Sequence, residues 1–201
     1  MNLIKELIAM DWSGIFNNAS VSAFFGAFFA FLLVALTDWR RNRRKRKLIV
    51  RQLSANNELA AKKQETVKKN LSLLKDHNKA TTAPIMRFPV EDIRKLETEV
   101  LDLLTVDQKM ALDSIIYTYE ATDGLLLEIT DKLHRIEDIQ DSGEPILPSN
   151  EMVKKLPADY EDAYVNLGRA IDMASLYIKG RYREVLNKKY NRDDYLPKAL
   201  Y

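Results

Sequence analysis

The sequence predicts an all-α protein in which one N-terminal transmembrane helix continues into a cytosolic antiparallel helical bundle. Three observations carry this. Between Asp11 and Asp38 lie 26 residues without a charge. Residues 40–51 then hold eight Arg or Lys and no acid. Beyond them apolar residues recur at helical spacing, and no segment alternates convincingly with the period of two that a sheet requires. The chain therefore divides into a short extracytoplasmic or interfacial tail (1–18), the span (19–39), a basic juxtamembrane segment (40–51) and a cytosolic helical domain (52–201).

In the tail, Leu3, Ile4, Leu7 and Ile8 form an apolar stripe suited to the outer membrane surface. Trp12 and Trp39 stand where interfacial aromatic belts occur. At about 1.5 Å of rise per residue, the run from Ala19 to Trp39 covers roughly 30 Å, the thickness of a hydrocarbon core. A buried helix of a soluble protein seldom needs so long an uninterrupted run. A cleaved signal peptide would carry its basic residues before the apolar run, and here they follow it.

Within the span, small residues recur every four positions. Ser22, Gly26 and Ala30 lie on one line, with Ala19, Ala23 and Ala27 on the next. Phe24, Phe25, Phe28, Phe29 and Phe31 occupy the remainder. Backbones approach closely along such stripes in lipid, so Ser22, Ala23, Gly26, Ala27 and Ala30 are the expected packing residues of a homo-oligomer. Asn17, Asn18, Ser20 and Ser22 are the polar residues that could line a narrow pore.

The net charge of +2 conceals an asymmetry. Residues 1–39 carry one Lys against three acids, giving −2, and residues 40–51 carry +8, which leaves −4 for residues 52–201. Arg40, Arg41, Arg43, Arg44, Lys45, Arg46 and Lys47 follow the span directly. Such clusters stay inside, which predicts an inner-membrane protein with its N-terminus outside and its C-terminal domain in the cytoplasm. Three roles compete for the cluster: setting topology, contacting anionic lipid head groups, and holding a nucleotide or nucleic acid through phosphates. Nothing offers base readout, so sequence-specific nucleic acid is not expected. In an oligomer these cations would ring the cytosolic mouth and favour an anion or an anionic plug.

From Thr37 to Asp76 neither Pro nor Gly interrupts the chain, so the span should run into a long cytosolic helix. Ile49, Leu53, Ala60, Val67, Leu71 and Leu74 approximate a heptad seam, but Asn56, Lys63 and Asn70 stand where Leu is expected. The seam reads as weak, packing on a partner for part of its length. Residues 76–89, with Pro84 and Pro89, form a loop. Helix resumes at Val90, with Ile93, Leu96, Val100, Leu101 and Leu104 on one face.

Thr105 and Gln108 form a capping box that opens a helix to about Ile139. Its buried stripe comprises Met110, Leu112, Ile115, Ile116, Tyr119, Leu126, Ile129, Leu133 and Ile136. A loop at 141–149 and a short turn to Leu156 follow. Pro157 then starts a final helix, about residues 158–190, that aligns Tyr160, Tyr164, Leu167, Ile171, Ala174, Ile178 and Leu186. The tyrosines of that helix fit either core packing or a recognition surface, and the tail from Asn191 either docks on the domain or on a neighbouring subunit.

Catalysis is not expected. Cysteine is absent, and the two histidines, His77 and His134, are far apart in the sequence. Glu91-Asp92, Glu97, Glu99 and Asp159 with Glu161-Asp162 read as helix-start charges and exposed faces. No glycine-rich phosphate loop occurs, and no cofactor or metal is implied.

The order of Ala19–Leu36, Arg40–Lys47 and a helical remainder resembles, in layout, the small single-span effectors of bacterial anti-phage defence systems. These pair a membrane helix with a compact cytosolic domain and depolarise the membrane when released. The resemblance implies an oligomeric channel or membrane-disrupting effector and carries over no functional residue. It departs from that layout in showing no recognisable ligand-sensing fold. A non-catalytic tether that binds a soluble regulatory protein is the alternative.

Overall fold

The computed structural model describes residues 19–77, 86–142 and 151–196, and every regular element among them is helical. The long helices are α1 (Ala19–His77), α2 (Val90–Glu99), α3 (Val106–Asp141) and α4 (Glu151–Ile178), followed by the short α5 (Tyr182–Asn187). Single 3₁₀ turns occur at Leu101–Leu103 and Arg192–Asp194. The chain forms two compact units, residues 1–44 and 45–201. The basic residues 40–51 form helical turns of α1, which runs on without a break through them.

In the second unit, α1 is held by a seam stronger than its sequence suggests. Ile49, Leu53, Ala60, Val67 and Leu71 are buried, and so are Asn56, Lys63 and Asn70. Lys63 and Asn70 are thus core positions matched to polar partners, whereas Asn56 Nδ2 is buried without a hydrogen-bond partner among the described residues; the seam is nonetheless buried along its length, which corrects the expectation of a weak seam. Lys63 is 2% exposed, with Nζ 2.6 Å from Asp123 Oδ1 on α3 and 4.0 Å from the Phe88 ring centre. Asp123 also accepts the Phe88 backbone N–H, at 2.7 Å. Burial pulls the Lys63 ammonium below its usual pKa, against the opposing pull of Asp123. Asn70 hydrogen-bonds the Tyr160 hydroxyl, whose pKa burial pushes up to about 12. Asn57 donates to Ser175 Oγ at 3.1 Å, and Gln64 donates to the Tyr164 carbonyl at 3.2 Å.

The capping box forms as expected. Thr105 N–H donates to Gln108 Oε1 at 2.9 Å, and Gln108 N–H to Thr105 Oγ1 at 3.3 Å. From there α3 buries Ala111, Leu112, Ile115, Ile116, Tyr119, Leu126, Ile129 and Leu133. Met110, expected inside, is 53% exposed, with Ala111 in the core instead. Leu101 is also exposed, because the 3₁₀ turn rotates it away from the face that Ile93 and Val100 share. Between α3 and α4, Lys132 pairs with Asp159 at 2.8 Å and Thr118 lies 3.6 Å from Met173 Sδ.

Two helix boundaries differ from expectation. Pro157 lies inside α4 and does not start it, since Leu156, Tyr160 and Ala163 are buried on either side and hold the helix together despite the lost N–H. The same helix ends at Ile178, well before Tyr190. Gly180 there adopts φ +76°, its N–H bonds the Tyr177 carbonyl at 2.9 Å and the Arg181 N–H bonds the Leu176 carbonyl at 2.9 Å. This is the Schellman closure that glycine favours. The chain then returns along α4. Tyr182 packs edge-on to Tyr177, Tyr195 donates to Asp172 at 2.8 Å, and Arg192 pairs with Asp162. Tyr160 and Tyr177 are buried, so this aromatic line is core, and residues 192–195 dock on the domain's own α4.

Candidate functional site: an uncovered apolar helix and its basic run

The first unit presents the site. From Ser22 to Thr37, α1 carries no charge, and none of its apolar window is buried. It is the one helix among the described residues long and apolar enough to cross a membrane. Phe24, Phe28, Phe29, Phe31, Leu32, Leu33, Val34 and Leu36 are all exposed, and nothing among the described residues covers them. At about 2 kcal/mol per large apolar side chain, leaving these eight in water costs on the order of 15 kcal/mol. That exceeds the whole stability of many domains. The rings stack on one another along the helix, Phe24 on Phe28 at 6.5 Å, which shields little of that surface.

The expected packing residues Ser22, Ala23, Gly26, Ala27 and Ala30 are all exposed on this helix. A Cβ built at Gly26 meets nothing within 4 Å, so no contact among the described residues requires glycine there. Of the candidate pore-lining residues, Asn17 and Asn18 lie outside the described residues. Ser20 is placed by its helical backbone alone, and Ser22 is exposed. At the far end of the stretch, Thr37 donates to the Leu33 carbonyl at 2.7 Å, which satisfies its hydroxyl within the helix.

The basic run separates into two kinds of residue. Arg40, Arg41, Arg44 and Lys47 are exposed, and Arg43 lies 5.4 Å from the Trp39 ring centre. Lys45 and Arg46 are used inside the second unit, Lys45 pairing with Glu99 at 2.8 Å and Arg46 donating to the Leu103 carbonyl. In the sequence alone all seven cations look equivalent. These partners, 54 and 57 residues downstream, leave no local signal.

Among the described residues no group of three or more His, Asp or Glu could hold a metal ion. His134 is exposed on α3, and the His77 side chain lies outside the described residues. A shallow depression of about 260 Å³ lies between Thr105, Asp107 and the turn at Gly180–Glu184. Its charges are spent on one another, as Arg183 pairs with Asp107 at 2.8 Å and Arg181 with Glu184. No family model matches the chain, and neither a curated protein nor a solved structure does.

Proposed function

We propose that this chain is a single-pass inner-membrane protein whose spans assemble into an oligomer, with the cytosolic antiparallel bundle controlling that assembly. The supporting observation is that the unburied apolar stretch belongs to the same helix, α1, that supplies the buried seam of the second unit. Repacking of the seam therefore acts on the element that crosses the bilayer. Exposed Arg40, Arg41, Arg44 and Lys47 hold the cytoplasmic side inside and meet anionic lipid or another anionic ligand. Close approach along Ser22, Gly26 and Ala30 brings the spans together, and the output is a channel or a local disruption of the bilayer. The layout shared with anti-phage effectors makes membrane depolarisation the natural readout.

The second reading, a passive tether for a soluble partner, is favoured by one observation: the stretch from Ser22 to Thr37 has no charged side chain to line a pore. A single experiment separates the two. The full chain is expressed at rising levels in bacteria while a potential-sensitive dye is followed, alongside Gly26→Leu. The effector reading requires depolarisation that rises with expression and is lost in Gly26→Leu. That variant leaves the isolated fold intact, because nothing lies within 4 Å of the new side chain's base. An unchanged potential at every level favours the tether, and depolarisation that persists in Gly26→Leu defeats the packing mechanism.

A further inference from the structure

Phe88 enters the core from a non-helical strap, residues 86–89, just ahead of α2. Its ring is buried, with the Tyr119 ring centre 4.4 Å and the Lys63 ammonium 4.0 Å from its own centre. Asp123 ties both ends of this group together. Its Oδ1 accepts from Lys63 Nζ at 2.6 Å and its Oδ2 from the Phe88 N–H at 2.7 Å. No side chain caps the start of α2, so this carboxylate fixes its entry instead.

The arrangement is mutually dependent. Phe88 keeps water from Lys63, and Lys63 compensates the carboxylate that seats Phe88. The closed form is also costly. A buried ion pair often stabilises no more than apolar packing in its place, and leucine is what this seam position calls for. The Tyr119 hydroxyl beneath Phe88 is buried with no hydrogen-bond partner among the described residues. Water entering here hydrates both the ammonium and the hydroxyl. Toward α4, by contrast, α1 is held by hydrogen bonds from Asn57 to Ser175, from Gln64 to the Tyr164 carbonyl and between Asn70 and Tyr160.

We propose that Phe88, Asp123 and Lys63 form a latch between α1 and α3 that opens as a unit: the strap lifts, water reaches Lys63, and α1 parts locally from α3 while its bonds to α4 hold. Asp123 is the positioning residue, because it couples the strap to the ammonium. What the latch controls rests on the effector reading above. Opening loosens the helix that continues into the apolar stretch.

In the test, the full chain in detergent is acylated with an N-hydroxysuccinimide ester. Mass spectrometry reads the rate at each lysine, beside amide hydrogen exchange in α4. In the parent, Lys63 should react at least roughly a hundredfold slower than exposed Lys154, because it reacts only in the open form. Phe88→Ala should speed Lys63 roughly tenfold with exchange at residues 163–174 unchanged, and Phe88→Leu should speed it less. Asp123→Asn should act likewise and add little to Phe88→Ala, because the two changes open one latch. Equal rises at Lys63 and in α4 for both Phe88 variants mean general unfolding and overturn the proposal. So do a parent Lys63 that reacts like Lys154, and effects of Phe88→Ala and Asp123→Asn that simply multiply. In bacteria, Phe88→Leu should lower the expression level at which the membrane potential falls, and an unchanged threshold severs the latch from that output. A potential that never falls in parent or variant, with labelling as expected, defeats the effector reading and supports the latch.

Discussion

Replacing Gly168 with alanine tests how the C-terminal tail is held. A Cβ at this buried position would sit 2.7 Å from Tyr195 Cδ1 and 3.3 Å from Cγ, inside the body of the ring, and 3.0 Å from Gln64 Nε2. The glutamine end can yield, but the ring must leave its seat. Tyr195 is half-buried, so about 100 Å² of ring surface returns to water, a loss of about 2.5 kcal/mol. Its hydrogen bond to ionised Asp172 contributes about 1.5 kcal/mol more. The freed side chain recovers about 1 kcal/mol of rotamer entropy, and alanine improves the helix by about 1 kcal/mol. Arg192 still holds Asp162 and Glu161, so the neighbouring turn stays in place. The net loss is about 2 kcal/mol, or a fall of roughly 4–8 °C in melting temperature for a domain of this size. Far-ultraviolet circular dichroism of the full chain in detergent measures it. In a Tyr195→Ala background the obstacle is gone, so Gly168→Ala should become neutral or stabilising by up to about 1 kcal/mol. A loss of the same size in both backgrounds would refute the reasoning, because the clash would then lie elsewhere.

Two further outcomes follow from the second unit. Burial first, and then the neighbouring Asp113, hold the Glu97 carboxyl above its usual pKa of 4.5. The folded state therefore binds the proton more tightly than the unfolded state. Its contribution is complete below pH 4.5 and is lost as pH rises through the raised value. Glu97→Gln should accordingly gain stability relative to the parent between pH 4.5 and 7, as read from denaturation midpoints, and lose that advantage in acid. At Gly180, with φ +76°, a side chain is strained even though no atom lies within 4 Å. Gly180→Ala should cost about 1 kcal/mol by equilibrium unfolding, with Gly180→Asn milder because asparagine tolerates this conformation.

Much of the architecture was legible because it depends on local chemistry. The absence of Pro and Gly from Thr37 to Asp76 announced α1, and Thr105 with Gln108 announced the start of α3. The missed features depend on distant partners or on competing local signals. Lys63 and Asn70 look like flaws in a seam until Asp123, Phe88 and Tyr160 are brought to them by the fold. The stop at Gly180 was overrun because Ile178, Tyr182 and Leu186 keep a four-residue spacing across the turn. The Lys-Gly pair at 179–180 was the usable signal. Proline is common at helix starts, so Pro157 signals one in the sequence, whereas burial on both sides keeps it inside α4. At the site itself, the long apolar stretch and its basic run were legible, while the diversion of Lys45 and Arg46 into the second unit was not.

The residues that close on α1 come late in the chain. Lys63 waits for a partner 60 residues downstream, Gln64 for one 100 residues away and Asn57 for one 118 away. During synthesis, then, α1 must remain open along one side until α4 has left the ribosome, with its lysine still hydrated. Closing loops of that length comes late and slowly. Translation thus leaves an interval in which chaperones or quality-control proteases can act on the unfinished chain, and the dehydration of Lys63 marks its end.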